Sequence, residues 1–294
     1  MINPNKFLKF LHNKGISFFT GVPDSILKNF SFKIDNYSKY KHIISANEGN
    51  SISIATGYNL ATKKIAAVYL QNSGLGNAIN PLASLSHKDV YSIPMLLIIG
   101  WRGYPKFKDE PQHLVKGKIT TQLLNLLKIK YCILSSEKDF NKLSKLIRLS
   151  KRSNNPVACL IKKNTFSKVV KKTPIPLKAL LRSDVLEKLL RKIKKNSLLI
   201  STTGYTSREL HQLRKLKKIK NGKDFYMVGS MGHVSSLTLG ISLFSKKETI
   251  CIDGDGSVLM HLGSLVTAGN LGNKNFKHIL LNNFSHESVG GQKT

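Results

Sequence analysis

Residues 251–292, CIDGDGSVLMHLGSLVTAGNLGNKNFKHILLNNFSHESVGGQ, constrain the fold of this chain more than any other stretch. An apolar run from Cys251 ends in Gly254-Asp255-Gly256, a helical segment follows, and a second apolar run ends in Asn282-Asn283. Residues 257–281 leave room for a helix and a parallel return strand, so Asp255 and the Asn pair are expected at the carboxyl ends of two strands of one sheet. Ligands of open α/β sheets bind at those ends. An Asp carboxylate and an Asn amide oxygen are hard donors for Mg²⁺ or Ca²⁺, ions that commonly share their coordination with phosphate oxygens. Gly254 and Gly256 would let the backbone approach an anion, and Ser257 onward would offer helix N-terminal amides. A GDG alone is only a turn after a strand. The Asn pair closing the second run turns the turn into a candidate metal and phosphate site.

At 294 residues the chain has room for two domains, and a hydrophobic content of 41% excludes global disorder. Its apolar runs are strand-length rather than membrane-spanning, and MINPNKFLKFLHNKG lacks the apolar core of a signal peptide, so a cytoplasmic location and no membrane partner are expected. Cys132, Cys159 and Cys251 sit in strand-like runs without ligand spacing and read as buried, reduced thiols. Lys and Arg number 47 against 16 Asp and Glu, a net charge of +31 that would attract polyanions. The cations are scattered over helix faces (Lys142, Lys145, Arg148, Lys151) and basic connections (Lys168, Lys171, Lys172) without an aromatic-studded strand motif. That pattern describes a solvated surface and implies no specific nucleic-acid partner.

From the N-terminus, an amphipathic helix is expected over residues 5–14, capped by Asn3 or Asn5. A short strand, 16–19, delivers Thr20-Gly21-Val22-Pro23-Asp24-Ser25. Asp24 or Ser25 can cap the next helix or act directly in a site. A strand at 42–45 leads through Ala46-Asn47-Glu48-Gly49-Asn50 into a helix of small residues over 51–61; Glu48 there either complements the helix dipole or does chemistry. The buried run 65–70 ends in Gln71-Asn72-Ser73-Gly74-Leu75-Gly76-Asn77, whose two Gly allow close backbone approach and whose amides are orientable hydrogen-bonding groups. The next buried run, 94–99, opens a long loop carrying Trp101, Arg102, Asp109, Glu110 and His113, a density of functional groups typical of a site, although His113 also reads as a solvated loop residue. Helices at 121–127 and 140–149 alternate with strands at 131–134 and 157–161, completing a parallel α/β unit over 1–165. Residues 166–181, rich in Lys and Pro, read as a linker. A second unit, 182–294, starts with a helix at 183–194 capped by Ser183, then a strand at 198–201, a helix at 207–216 and a strand at 225–228. This strand ends in Gly229-Ser230-Met231-Gly232-His233, where Met231 is either a core gap-filler or a site residue.

These segments together resemble the thiamin-diphosphate-dependent decarboxylases. GVPDSILKNF, ISANEGNSISIATGYNLAT, YLQNSGLGNAINPLASL, YSIPMLLIIGWRG, KDEPQH, VGSMGHVSSLTLGI and LNNFSHESVGGQ are similar to the branch of that family acting on phosphonopyruvate, with the sulfopyruvate enzymes as near relatives. The resemblance implies an α/β fold with a pyrimidine-binding first domain and a diphosphate-binding second domain. It implies thiamin diphosphate and Mg²⁺ as cofactors and a 2-keto acid substrate. Asp255 and Asn283 would bind Mg²⁺ through side chains and Ser285 through its carbonyl, next to the diphosphate at Gly254, Gly256 and Ser257. Gly229, Ser230 and Met231 would meet the aminopyrimidine, and Glu48 its N1′. Asp24 and His113 would handle protons, while Ser25, Gln71, Asn72 and Arg102 would line the substrate. Because the family's site lies between subunits, a homodimer or dimer of dimers is implied. Relatives continue beyond the metal motif with strands that complete the second sheet, so the second domain is expected to be incomplete at Thr294.

Overall fold

The computed structural model describes residues 1–35, 41–169, 180–271 and 274–294. They form two compact units: Met1–Val170 with Val289–Gln292, and Lys171–Ser288 with Lys293–Thr294. Most of the expected linker, residues 170–179, lies outside the described residues.

The first unit runs α1 (Pro4–Asn13), β1 (Phe18–Gly21), α2 (Lys28–Asp35), β2 (Lys41–Ile44), α3 (Glu48–Thr62), β3 (Ala66–Gln71), α4 (Leu75–Pro81), β4 (Met95–Gly100), α5 (Pro111–Leu126), β5 (Lys130–Leu134), α6 (Phe140–Ser153) and β6 (Val157–Ile161). Its parallel six-stranded sheet has the order β2-β1-β3-β4-β6-β5. Helices cover both faces, which is why β3 and β4 read as unbroken apolar runs. Ala67, Tyr69, Leu96 and Ile98 pack against Phe7, Leu8 and Leu11 of α1, Phe30 of α2 and Leu143 of α6. Their alternates Ala66, Val68, Leu70, Met95, Leu97 and Ile99 pack against Ile52 and Ala55 of α3 and Leu124 of α5. Phe166, assigned to the linker by composition, is instead buried in the first of these clusters.

The second unit runs α7 (Arg182–Lys192), β7 (Leu198–Ser201), α8 (Tyr205–Lys217), β8 (Lys223–Tyr226), α9 (Val234–Phe244), β9 (Thr249–Gly254), α10 (Asp255–Met260), α11 (Ser264–Leu271) and β10 (Phe276–Leu281). Its parallel sheet has four strands in the order β10-β9-β7-β8. Leu186, Leu190, Leu210 and Leu213 cover one face, and Val234 packs on the other beside Ile200 and Cys251. Apolar side chains on the helices after β8 remain exposed, among them Phe244, Val266 and Leu271, as does Leu262 in the turn between α10 and α11. The outer strand β10 leaves Leu280 half exposed.

Local chemistry explains several boundaries. Asn3 caps α1 by accepting the Asn5 N–H at 2.9 Å, and Asn47 caps α3 by accepting that of Asn50 at 2.9 Å. Glu48 therefore belongs to the first turn of α3, earlier than the expected start at Ser51. Ser183 does not cap α7: Leu181 occupies the N-cap and no side chain bonds there. The largest difference is α5, which begins at Pro111 rather than Thr121. Proline suits a first helical position because the missing N–H would have no partner there. Arg182 pairs with Glu209 and Glu287 within the second unit. No described helix is long and apolar enough to cross a membrane. The three cysteines are free thiols, with Cys159 and Cys251 buried and Cys132 partly buried.

Candidate active site

In the first sheet the order reverses about β1, with β2 on one side and β3 on the other. The crevice at such a reversal is the ordinary ligand position of an open α/β sheet. The segments leaving β1, β2, β3 and β4, neighbours in the sheet, carry Asp24 and Ser25, Glu48, Gln71 and Asn72, and Arg102.

Asp24 is fully buried and accepts the N–H groups of Ile26 and Leu27, each at 3.1 Å. It is thus the cap of the turn entering α2, and it also reaches a neighbouring strand: Gln71 donates to its other oxygen at 2.5 Å, while Ser73 orients Gln71 by donating to its amide oxygen at 2.8 Å. Burial raises the Asp24 pKa against the lowering effect of these donors. Gly100 is obligatory here, because a Cβ would overlap the Asp24 carboxylate.

Glu48 is 4% exposed. Asn77 donates to its Oε2 at 2.8 Å, and the backbone of Gly74 packs so closely on the carboxylate that any Cβ would collide with it. Burial raises its pKa above the usual carboxylate value. Of the two Gly in the loop after β3, only Gly74 makes such an approach; around Gly76 nothing lies within 4 Å of where a Cβ would stand.

Arg102 is already committed. Its Nε and terminal nitrogen donate to the two oxygens of Asp109 at 2.8 and 2.5 Å, and a third nitrogen reaches Ser25 Oγ at 3.3 Å. Asp109 also accepts the Gly103 and Glu110 N–H groups, and the guanidinium holds its pKa well below the carboxylate range. Asn72 is a brace: its amide donates to Arg102 O and Thr120 Oγ1 at 2.9 Å each and accepts the Arg102 N–H at 3.1 Å. Trp101 likewise is buried and donates to Gly117 O at 2.9 Å, tying β4 to α5. His113, on the first turn of α5, is 9% exposed rather than solvated. Among the described residues its Nδ1 has no hydrogen-bond partner, its Nε2 stands 3.8 Å from Glu110, and burial lowers its pKa.

In the second unit the strand order reverses about β7, and the segments after β7, β8, β9 and β10 supply the remaining candidates. The Ser285 N–H donates to both Asp255 Oδ2 and Asn283 Oδ1 at 3.1 Å, which brings the three expected metal ligands together. A carboxylate, an amide oxygen and a main-chain carbonyl are the donors a hard dication takes. Asp255 also accepts from Thr294 Oγ1 at 2.8 Å, and Asn283 donates to Glu287 at 3.2 Å. Asp255 opens α10, a helix of only six residues. A Cβ on Gly254 would stand in open space, whereas one on Gly256 would stand 2.8 Å from His286 Nδ1 and 3.3 Å from Met231 Cε. The loop of Gly229, Ser230 and Met231 is joined to α10 through Ser257, whose Oγ accepts the Gly232 N–H at 3.1 Å and the Thr202 hydroxyl at 2.9 Å. Ser230 and Gly232 both take positive φ, 55° and 91°, and make the tight turn that presents Met231. Cys251 stands with Asp253 and His278, their donor atoms within 4.8 Å of one another. The carboxylate there is already engaged by His278 at 3.4 Å and by the Gly254 N–H at 2.9 Å.

Sequence reasoning flagged the segments carrying Asn77 and Asp109 without giving either residue a role, and it missed Thr202 and Lys116. Thr202 follows a strand, which was a usable signal. Lys116 is one of 47 cations and carried none.

Residues 5–124 match the thiamine pyrophosphate enzyme N-terminal TPP binding domain, and residues 202–294 the C-terminal TPP binding domain. The chain belongs to the thiamine pyrophosphate enzyme family. Along its full length it is similar to phosphonopyruvate decarboxylase of Streptomyces viridochromogenes, 33% identical over 312 residues that cover 77% of that relative. Sulfopyruvate decarboxylase of Methanosarcina acetivorans is 27% identical over 318 residues, covering all of this chain and 79% of the relative. The beta subunit of sulfopyruvate decarboxylase from Methanocaldococcus jannaschii is 38% identical over 113 residues, covering 38% of this chain and 57% of that subunit. The chain is accordingly a carboxy-lyase, a thiamin-diphosphate-dependent decarboxylase of a keto acid.

Proposed function

We propose that the chain, with Mg²⁺, decarboxylates 3-phosphonopyruvate to phosphonoacetaldehyde and CO₂, a step of phosphonate biosynthesis, as a cytoplasmic homodimer or dimer of dimers. The full-length similarity to phosphonopyruvate decarboxylase carries the reading. Thiamin diphosphate, when bound, supplies the electron sink for the electrons left as CO₂ departs. Asp255, Asn283 and the Ser285 carbonyl would hold Mg²⁺ against the diphosphate, beside Gly254, Gly256 and Ser257. Gly229, Ser230 and Met231 would seat the aminopyrimidine, and the absence of a Cβ at Gly256 supports this by leaving room beside the Met231 thioether.

In this reading Glu48, contributed by the neighbouring subunit, holds and returns a proton at N1′. Its burial, which favours the protonated carboxyl, and the orienting bond from Asn77 support that role. Asp24 and His113 would exchange protons on the substrate side, with Ser25 and Gln71 beside them. Arg102 and Asn72 shape the pocket through the contacts they already make.

Incubation with thiamin diphosphate, Mg²⁺ and, separately, phosphonopyruvate, sulfopyruvate and pyruvate, following aldehyde release, tests the proposal. Preference for sulfopyruvate would instead support the alternative favoured by the sulfopyruvate decarboxylase relatives. Turnover of none would leave an inactive cofactor-binding subunit. Glu48→Gln is expected to lower kcat by roughly 10²–10⁴-fold; full activity in that variant would refute the assignment.

A further inference from the structure

The residue whose chemistry best suits a phosphonate, Arg102, has its guanidinium clamped on both oxygens of Asp109. To take a second dianion it would have to give up a charge-assisted bidentate pair. A different cation lies on the first turns of α5. Lys116 follows His113 by three positions and so shares its helix face. Among the described residues it makes no ion pair, and its charge is a minor electrostatic neighbour of both the Glu48 carboxylate and the His113 ring.

The main chain of this turn is fixed from two sides. Thr120 Oγ1 donates to Lys116 O at 2.6 Å and accepts from Asn72 at 2.9 Å, which ties the turn to the loop carrying Gly74, the residue packed on Glu48. On the other side Gly117 packs directly on the Gly103 backbone, and Trp101 donates to Gly117 O. His113 therefore stands buried on a fixed turn, with a ring nitrogen that no group of the described residues satisfies. A buried polar atom without a partner asks for one from outside the chain. The nearby anion, Glu110, lies 3.8 Å from the opposite ring nitrogen and 3.8 Å from the Arg102 guanidinium, and it accepts from Gln112 at 2.7 Å.

We infer that Lys116, with His113 beside it, forms the subsite that receives the second acid group of the substrate, the phosphonate or sulfonate of a three-carbon 2-keto acid. This rests on the decarboxylase reading above. A lysine ammonium is a compact point charge with three donors, which matches a tetrahedral oxyanion, and the imidazole adds one hydrogen-bonding position. Lys116 then acts as the specificity residue, distinguishing an acidic 2-keto acid from pyruvate.

Phosphonoacetate, which carries the distal acid without the reacting ketone, is the probe. Calorimetric titration of the full chain holding thiamin diphosphate and Mg²⁺ is expected to show binding that weakens roughly ten- to hundredfold in Lys116→Met and persists within a fewfold in Lys116→Arg. In parallel, the ratio of kcat/KM for phosphonopyruvate to that for pyruvate should fall by a similar factor, carried by KM. Unchanged phosphonoacetate affinity in a folded Lys116→Met protein overturns the inference, as does a wild-type chain that does not bind the probe. Lysine-dependent binding without turnover of any 2-keto acid upholds the subsite and refutes the proposed reaction. Phosphonopyruvate turnover with KM indifferent to Lys116 does the reverse.

Discussion

Gly74 and Gly76 are two residues apart in QNSGLGN, yet their replacement by Ala should have opposite effects. At Gly74 the backbone, φ −82° and ψ −5°, is open to any L-residue, so Ala gains about 0.4–1 kcal/mol through the unfolded state. Its Cβ, however, would overlap the Glu48 carboxylate. Forcing a methyl into a filled site costs about 1–3 kcal/mol. If Glu48 swings away instead, it loses the Asn77 bond, and a buried polar group left unsatisfied costs about 1–3 kcal/mol. A net loss of about 2 kcal/mol is expected. Gly76→Ala puts its methyl into open space on α4 and should stabilise by up to about 1 kcal/mol through helix propensity. The two variants should thus differ by about 3 kcal/mol, or roughly 6–12 °C in Tm at about 2–4 °C per kcal/mol. Gly74→Ala should also lose at least about 10² in kcat as the carboxyl is displaced. Scanning calorimetry and decarboxylation assays on both proteins test this. Equal melting temperatures, or a fully active Gly74→Ala, would show that the contact between Gly74 and Glu48 does not govern the site.

Three further outcomes are expected. Glu48 titrates higher in the folded chain than in the unfolded one, so the stability it contributes is complete below about 4.5 and is lost as pH rises through its folded value. The stability of Glu48→Gln relative to wild type, from urea unfolding, should therefore improve as pH rises above 4.5, whereas an advantage that grows towards acid pH would contradict the burial argument. Asp224→Ala should destabilise the second unit by about 3–5 kcal/mol in denaturant unfolding, because Arg214, bonded through both Asp224 oxygens and 13% exposed, would keep a largely buried charge without its counterion. Chelation should stop aldehyde release and excess Mg²⁺ restore it, while Asp255→Ala should weaken thiamin diphosphate binding by calorimetry; cofactor affinity indifferent to both would refute the metal assignment.

Much of the fold could be read from apolar runs bounded by Gly and polar turns. The strands Val157–Ile161 and Leu198–Ser201 have the expected residues, and the positions of Asp24, Glu48, Gln71 and Asp255 at or just beyond strand ends follow from period and punctuation alone. What escaped depended on side chains finding one another across the fold. A loop crowded with Trp, Arg, Asp and His looked uniformly functional. In three dimensions Trp101 fastens a helix, Arg102 and Asp109 neutralise each other, and His113 is left with an open valence. The early start of α5 was signalled by Pro111 at the first helical position, but the polar, charged residues before it masked the boundary. Which of two nearby glycines touches Glu48 is a matter of sub-ångström placement that no spacing encodes.

The seam between Gly103 and Gly117 has a consequence for how this pocket can change. Where α5 crosses the segment after β4, backbone meets backbone, and Trp101 adds a bond to a main-chain carbonyl. The first turns of the helix are therefore set by atoms every residue possesses, and side chains there can be exchanged without moving the frame. Leu114, Val115 and Ile119 face solvent, while His113 is buried and Lys116 half-buried. Such a frame separates the choice of substrate from the integrity of the fold. On the proposal above, a lineage could retune acid recognition at position 116 and leave the decarboxylating apparatus intact, provided both glycines of the seam are kept.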